Sequence, residues 1–197
     1  MNRPRAAPRP ASDGLSVLFE CAPWVCAIPT SWIKGLLTVD EARLLPASSV
    51  AAGSATAGAT ARRYDPRAPL TNDLLLSVGS QWFAPWDFGQ LVEHAPLASG
   101  WLLFQIRHAE RDIPLALRVG PCTAVRVVAD GVPLPHALFR ARPGAVESAF
   151  VFEPGAGARA SIGLRVNPAA LWTPRELDQS ARLIAGATSR AERRSHA

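Results

Sequence analysis

The sequence contains no apolar run that approaches the roughly 18 residues needed to cross a bilayer. Its first residues, MNRPRAAPRPASDG, are basic, but no apolar segment follows them, so they lack the pattern of a secretory signal. Cysteine is scarce as well: there are 3 in 197 residues, an odd number that fits a reducing compartment and argues against a disulfide framework. These absences predict a cytoplasmic protein without direct membrane insertion.

Motifs for nucleotide binding and nucleophilic catalysis are missing too. Neither G-x-G-x-x-G nor G-x-x-x-x-G-K-[ST] occurs, and VGSQW is not a G-x-S-x-G nucleophile elbow. The sequence therefore indicates no cofactor and no catalytic set, which favours a protein that is not an enzyme. A small cytoplasmic enzyme stays an alternative that would need a cavity lined by His94 or His108 together with a carboxylate.

Charge is distributed unevenly along the chain, whose net charge is +5. Residues 1–14 hold three arginines against one aspartate, and residues 174–197 hold five arginines against three acids. The body between these ends is therefore nearly neutral. A nucleic-acid-binding barrel is the alternative that a basic chain suggests, but a neutral body with basic ends favours solvated tails, and we expect no nucleic acid partner.

Turn-forming residues are plentiful, with 18 prolines and 14 glycines. Short apolar segments lie between them, which favours many strands over a helical bundle. These segments are LSVLFEC, WVCAI, LLLSV, QWFAPW, WLLFQIR, DIPLALRV, CTAVRVV, AFVFE and RASIGLRV. We expect about nine or ten strands without βαβ alternation, and so an all-β, barrel-like fold with one group of strands on each side of residue 100. Three consecutive segments of similar length, from WLLFQIR to CTAVRVV, predict a β-meander.

Two cysteines, Cys21 and Cys26, lie close together beside tryptophans. Pro23 between them is expected at the turn of a hairpin formed by LSVLFEC and WVCAI, which places the cysteines on opposite arms. There they would pack as small hydrophobes, and a metal or redox pair is the alternative. A zinc site needs further ligands at suitable spacing, which the remaining cysteine and the histidines do not supply. Those residues are Cys122, His94, His108, His136 and His196.

Three segments have helical signals. PTSWIKGLL predicts one helical turn that runs into a strand, with Gly35 as the break. DFGQLV predicts a short helical turn capped by Asp87. TPRELDQSARLI predicts a closing helix, with Thr173 as N-cap, Pro174 in the first position and Glu176 completing a capping box.

Other stretches have the composition of loops and tails. Residues 47–72 are small, polar and punctuated by proline, which predicts a flexible insertion between two strands. Residues 1–14 predict a disordered basic tail and residues 181–197 a mobile C-terminal tail. Residues 129–147 predict a proline-rich loop.

The segment QWFAPW is apolar on both faces if it forms a strand. Alternation places Trp82 and Trp86 on one face and Phe83 on the other. Either this strand is buried on both sides, or one of its faces is covered by another protein.

Taken in order, these segments resemble the CheW family of chemotaxis coupling proteins. VLFECAPWVCAIPTSWIKGLL follows the family's apolar strand, short turn, second strand ending near Ile-Pro, and amphipathic segment. LLSVGSQWFAPWDFGQLV stands where the family has a strand carrying Asn-Leu-Arg-Gly and a strand ending in Pro-x-x-Asp-Leu. WLLFQIRHAERDIPLALRVGPCTAVRVV and IGLRVNPAALWTPREL match the second half in length and pattern. The resemblance covers about residues 15–180 without the 47–72 insertion.

Two charges of the family pattern are missing. The Asn-Leu-Arg-Gly motif is absent, and the family's arginine falls on Gly79 or Ser80. An acidic residue of the family falls near Gly35. Loss of both members of an ion pair leaves no charge unpaired, so the fold is expected to tolerate the change, while the family's receptor contact is altered.

The resemblance implies two intertwined, five-stranded SH3-like barrels with a short C-terminal helix. Residues 15–46 and 73–100 would form mainly the first barrel, and residues 101–172 mainly the second. It also implies a non-enzymatic adaptor that couples a CheA-type histidine kinase to the cytoplasmic tips of chemoreceptors in a two-component pathway. The partner-binding candidates are Ile33, Gly35, Leu36, Leu37, Gly79, Ser80, Gln81 and Trp82.

Overall fold

The computed structural model describes residues 14–50, 70–91, 99–128, 130–135, 142–153 and 160–195. Those residues form twelve strands and three α-helices, with single 3₁₀ turns at Thr30–Trp32 and Pro168–Ala170. The strands are β1 Leu15–Cys21, β2 Trp24–Pro29, β3 Ile33–Thr38, β4 Arg43–Pro46, β5 Leu74–Val78, β6 Gln81–Asp87, β7 Gly100–His108, β8 Arg111–Val119, β9 Cys122–Val127, β10 Val132–Pro133, β11 Val146–Phe152 and β12 Ser161–Val166. The helices are α1 Ala47–Val50, α2 Phe88–Leu91 and α3 Pro174–Ser195.

The strands form two sheets of six. The first sheet has the order β10-β11-β12-β2-β1-β9 and the second has the order β3-β7-β8-β6-β5-β4. The all-β fold with a C-terminal helix is therefore confirmed, with six strands in each sheet where the family resemblance implied five. None of the helices in the described ranges is long and apolar enough to span a membrane.

The division at residue 100, which was expected to hold for most of the strands, stays a prediction, and four strands cross it. β1 and β2 join the C-terminal strands, because β2 pairs in parallel with β12, with Cys26 opposite Leu164. β7 and β8 join the earlier strands, because β8 pairs in parallel with β6, with Leu117 opposite Trp86. An apolar strand pattern reports burial but does not specify the neighbouring strand, so these two long-range pairings could not be read from the sequence.

The predicted meander of three strands contains only β7 and β8, because β9 pairs with a different strand. β7 and β8 form a hairpin over Ala109 and Glu110, both in the left-handed region with φ of 46° and 64°, as a tight two-residue hairpin turn requires. The chain then crosses to the first sheet, where β9 pairs with β1 and Val125 lies opposite Val17. The carbonyl of Pro121 accepts a hydrogen bond of 2.9 Å from the amide of Glu20, which fixes this crossing.

A hydrophobic core lies between the two sheets. Phe19 packs edge-on against Phe88 with ring centroids 5.1 Å apart, and Phe104 packs against Trp172 at 5.5 Å. Smaller clusters fill the opposite side of each sheet: one contains Phe150 of the first sheet and the other contains residues of the second, such as Trp101. Both sheets are therefore buried on two faces along much of their length.

The two neighbouring cysteines belong to that central core. Cys21 and Cys26 lie on opposite arms of the β1–β2 hairpin and are 2% and 1% exposed. Their hydrogen bond and burial raise the pKa of Cys26. The prediction that they pack as small hydrophobes within the sheet is confirmed.

Two elements in the first half of the chain have boundaries that differ from the predicted ones. The helical turn before β3 is present, but the strand begins at Ile33 and continues through Gly35 with a shift in register, so Gly35 does not break it. The first four residues of the predicted insertion form α1, and Ala47 is buried with its amide donating to the carbonyl of Asp73 at 2.7 Å. The rest of that insertion up to residue 69, and the N-terminal tail before Gly14, lie outside the described residues.

The C-terminal helix begins as predicted but continues much further. The amide of Thr173 donates to Oε2 of Glu176 at 2.7 Å, and the amide of Glu176 donates to Oγ1 of Thr173 at 3.3 Å, which confirms the capping box. The predicted mobile tail from residue 181 is wrong, because α3 is helical to Ser195. Its second half packs against the second sheet, where Ala187 is fully buried.

The carboxylate of Glu176 should make the free energy of unfolding depend on pH. Burial disfavours the charged form of Glu176, but hydrogen bonds from Arg142 and Thr173 outweigh it, and the pKa of Glu176 is lowered. Its ionised form therefore stabilises the fold above the pKa of the unfolded chain, and this stabilisation is lost as pH falls through the folded value. We expect Glu176→Gln to cost about 1–2 kcal/mol of unfolding free energy at pH 7.

Urea unfolding followed by circular dichroism between pH 7 and pH 3 measures this effect. The difference between Glu176→Gln and the wild type should shrink as the pH falls below about 4, the usual range of glutamate. Glu20→Gln, on an exposed position of β1, is the control and should show no comparable cost at pH 7. A cost for Glu176→Gln that is independent of pH would contradict the assignment.

Candidate protein-interaction site

The first group of predicted contact residues lies on β3, at an edge of the second sheet. Leu36 is 54% exposed although its strand neighbour Leu102 is fully buried. Ile33 and Leu37 are half-buried and pack against the hydrophobic clusters on the two sides of the sheet. Gly35 lies over Leu103, where an added Cβ would come within 3.3 Å of its Cδ1. Of these four residues, Leu36 is the one that offers a partner a large apolar side chain.

The second group lies at the turn between β5 and β6. Gly79 has a φ of +58°, which a glycine adopts without strain, and Ser80 and Gln81 are exposed beside it. Trp82 is half-buried and packs in the cluster that contains Leu75.

The structure does not bring the two groups together. In the sheet order, β7 and β8 separate β3 from β6. Leu36 lies in line with Leu102, Leu117 and Trp86 across these strands, and Gln81 lies five residues before Trp86. Strand spacing and rise then separate Leu36 from Gln81 by about 20 Å. The predicted residues form two separate surfaces.

The helix α3 covers the tryptophan face of β6. Trp82 packs in one cluster with Leu183 and Ala187, and Nε1 of Trp86 donates to Oγ of Ser180 at 3.3 Å. Phe83 lies on the opposite face, in the second sheet's own cluster. Of the two possibilities that the sequence left open, β6 is thus buried on both sides, and the second cover is the chain's own helix.

Polar contacts hold this helix at several points. Near its start, Glu176 forms an ion pair with Arg142, and Oδ1 of Asp178 lies 3.1 Å from Nε2 of His108. Near its end, Nη1 of Arg190 donates to the carbonyl of Ala47 at 2.9 Å. The helix is therefore an integral layer of the fold.

A cleft of about 700 Å³ opens where α3, the start of β6 and the β7–β8 hairpin meet. Its walls include Gln81 and Trp82 from β6, Asp112 from β8, and Ile184 and Glu192 from α3. Among the described residues that line it, two are carboxylates and none is lysine, arginine or histidine. The cleft thus combines an aromatic ring with negative charge.

A buried ion pair lies on the ladder between β6 and β8. Asp87 and Arg118 face each other in the parallel register and their side chains are 3% and 4% exposed. Oδ1 of Asp87 also accepts from the amide of Gly89 at 2.8 Å, which confirms its predicted role as the cap of α2. Burial lowers the pKa of Arg118 to about 10, so its guanidinium is charged at neutral pH. Because both side chains are buried, the pair cannot contact a binding partner, and its effect is on the stability of the fold.

Several exposed apolar residues of the first sheet were not singled out by sequence reasoning. Val151 and Ile162 are direct cross-strand neighbours and are 72% and 58% exposed. Val125 and Val127 on the edge strand β9 are 61% and 65% exposed. Alternation could not identify them, because in β9 and β12 these apolar residues alternate with Arg126 and Arg165, and the pattern then predicts that the apolar face is the buried one.

The enzyme alternative required a histidine and a carboxylate at a cavity. His94 lies outside the described residues. His108 does meet the carboxylate of Asp178, but this pair is partly exposed, with side-chain accessibilities of 24% and 55%, and the residues lining the 700 Å³ cleft do not include it. The contact joins α3 to the β7–β8 hairpin at the protein surface.

Comparison with known proteins gives a match in structure but none in sequence. No protein-family model matches the chain, and no curated protein matches it in sequence. Among solved structures, the scaffolding protein TtCheW from Thermoanaerobacter tengcongensis matches with a TM-score of 0.52 and 11% sequence identity. The match covers 88% of this chain and 94% of that chain. The chain therefore has a CheW-like fold.

Proposed function

We propose that this protein is a non-enzymatic scaffold of a chemotaxis-like or motility pathway. The observation that carries the proposal is the shared fold, which extends over 94% of a protein described as a scaffolding protein. Its partners in this proposal are a CheA-type histidine kinase and the cytoplasmic tips of chemoreceptors, so that it acts in the cytoplasm.

The surface of the second sheet supports such a role. β3 is an edge strand, and a partner strand or loop can pair with its outer backbone groups. Leu36 stands on this edge with more than half of its side chain exposed, and an exposed apolar anchor of this kind provides much of the binding energy of many interfaces. Gly35 adds no side chain to this surface, and the position of its missing Cβ lies next to Leu103. We propose the β3 edge, with Ile33 and Leu37 as its support, as one partner surface.

A scaffold needs a second surface, because it must hold two partners at once. The β5–β6 turn, with Gly79, Ser80, Gln81 and Trp82, lies about 20 Å from Leu36 by strand spacing, which leaves room for a second partner. We therefore assign the two predicted groups to two different contacts.

Replacing Leu36 by aspartate tests the first contact. Aspartate places a charge where the partner's apolar surface would be buried, and we expect at least about a tenfold loss of retention in a pull-down with a CheA-type kinase or a receptor tip. The chain itself should stay folded, since the side chain is largely exposed.

Ile162→Asp is the matched control, because Ile162 is 58% exposed on a strand of the other sheet and undergoes a similar change. It should retain the partner like the wild type. Equal losses in both variants would remove the β3 edge from the proposal, and no retention of either kind of partner by the wild type would overturn the scaffold role.

A further inference from the structure

Three arginines form a basic stripe along the outer side of α3. Arg175, Arg182 and Arg193 are separated by seven and eleven residues, which are nearly two and three helical turns, so they project from the same side of the helix. All three are exposed, and together they extend over about 27 Å of the helix axis. The other side of α3 packs on the second sheet through Ile184 and Ala187. The arginine stripe is therefore the side of the helix that faces away from the fold.

The charge of the arginine stripe is not neutralised within the described part of the chain. None of its three guanidinium groups forms an ion pair or a hydrogen bond with another described residue. The acids of the same helix interact elsewhere: Glu176 is paired with Arg142, and Asp178 lies 3.1 Å from His108. Glu192 also has an interaction within the chain. A partner that covers the stripe therefore has to supply negative charge.

Helix stability does not account for the residues on this side of α3. Arg175 lies in the first turn, where a positive charge opposes the helix dipole. Gly186 lies on the same side, between the other two arginines, and glycine is less favourable than alanine in a helix interior. A Cβ added to Gly186 would meet only the end of the Arg190 side chain, at 4.0 Å, so packing within the described chain does not require a glycine there. The missing side chain allows another backbone to approach α3 closely.

We propose that the arginine stripe binds an acidic helix of a partner protein, with Gly186 at the point of closest approach. The spacing favours a helix as the partner, because carboxylates seven and eleven residues apart lie on one side of a helix, as the arginines do on α3. Such carboxylates can each accept two hydrogen bonds from a guanidinium group. The distance between two packed helices depends on the side chains at their contact, so a small residue opposite Gly186 would bring the two axes close together.

An anionic lipid surface is the other class of partner that a basic helix attracts. Helices that lie in a membrane surface also carry large apolar side chains that insert beside the basic ones. The described residues between the arginines on this side of α3 are small or polar, namely Gln179, Gly186 and Ser189. The arginine stripe thus has no apolar anchor for a membrane, which favours the acidic helix.

The test uses a synthetic alanine-based helical peptide that carries three glutamates at the spacing of the three arginines. The same peptide with glutamine in place of glutamate is the comparison. Titration of the full chain at about 0.15 M salt, where screening limits the effect of distant charges, is followed by NMR at the amide of Gly186. We expect saturable shifts with the glutamate peptide only. Replacing Arg175, Arg182 and Arg193 by glutamine should weaken its binding at least about tenfold, since the charge-assisted contacts become neutral.

A second triple variant is the matched control for charge. It combines Lys34→Gln, Arg43→Gln and Arg107→Gln, which remove the same total charge at exposed positions on strands. It should bind the glutamate peptide within about twofold of the wild type, because these charges lie outside the arginine stripe.

Replacing Gly186 by leucine tests the close approach separately from the charge. Gly186→Leu should weaken binding at least about fivefold, because a large side chain holds the two helices apart. Ala185→Leu is its control, since Ala185 is exposed on the same helix but lies outside the arginine stripe, and it should bind like the wild type. Circular dichroism checks that both variants keep α3, as the space around Gly186 allows.

Several outcomes would overturn the inference. They are the absence of saturable shifts, equal weakening in the two triple variants, and equal binding of the glutamine peptide. Wild-type affinity in Gly186→Leu would show attraction without a docked helix and would overturn it as well. Retention on phosphatidylglycerol vesicles that the arginine variant loses, without binding of the peptide, would replace the acidic helix by a lipid surface. The arginine stripe lies on a different element from the β3 edge and the β5–β6 turn, so binding there does not depend on the proposed scaffold role.

Discussion

Replacing Arg118 by methionine is expected to lower the free energy of unfolding by about 3–5 kcal/mol, because Asp87 is left as a buried charge without its counter-ion. Both side chains are almost fully inaccessible to water. Methionine fills a similar volume, so the loss reports on charge more than on packing. Urea unfolding at pH 7, followed by tryptophan fluorescence and circular dichroism, measures the effect.

Arg107→Met is the control for this experiment. It makes the same chemical change on β7, in an ion pair with Asp112 that is exposed to solvent, and it should cost less than about 1 kcal/mol. The variant that combines Asp87→Asn with Arg118→Met should recover much of the loss, because no charge stays buried and asparagine can still cap α2. An equal cost for Arg118→Met and Arg107→Met would show that the buried pair is not what stabilises this ladder.

The features that sequence reasoning predicted well are those formed by neighbours in the chain. The β1–β2 hairpin follows from two apolar segments around Pro23, and the placement of its two buried cysteines follows from the same turn. The start of α3 follows from Thr173 and Glu176, whose reciprocal hydrogen bonds need only four consecutive residues. In each case a local pattern contains all of the groups that make the structure.

Long-range pairing was beyond the reach of the same reasoning. β2 and β12 are separated by more than 130 residues, and each contains several buried residues. Such strands can pair with many others at similar hydrophobic gain, so their partner depends on the packing of the whole chain. The parallel pairing of β6 with β8 has the same origin, and with it the buried contact between Asp87 and Arg118.

The predicted contact residues differ in their exposure. The exposure of Leu36 fits the expected partner surface, while the half-burial of Ile33 and Leu37 reflects the sheet that they share. The role of these residues in binding stays a prediction. The cleft could not be predicted, because one of its walls is the second half of α3, whose sequence AGATSRAERRS has the composition of a solvated tail.

The second half of α3 is held by a small residue that carries little sequence signal. Ala187 is fully buried against Leu75 and Trp82, and its small side chain allows the helix backbone to approach the sheet. Alanine is frequent on both exposed and buried helix faces, so periodicity does not reveal which alanine is the contact. The contribution of this contact to the free energy of unfolding therefore has to be measured.

Ala187→Asp is expected to cost about 2–4 kcal/mol of stability, or to release the second half of α3 at a similar cost, because a carboxylate cannot stay charged and unpaired against the sheet. Ala185→Asp, an exposed position on the same helix, makes an identical change and should cost less than about 1 kcal/mol, which is the loss of helix propensity. Urea unfolding measures the global cost, and amide hydrogen exchange of residues 184–192 separates local release from global unfolding. Fast exchange of these amides in the wild-type chain, or equal costs for the two variants, would show that the helix beyond residue 181 is not docked in solution.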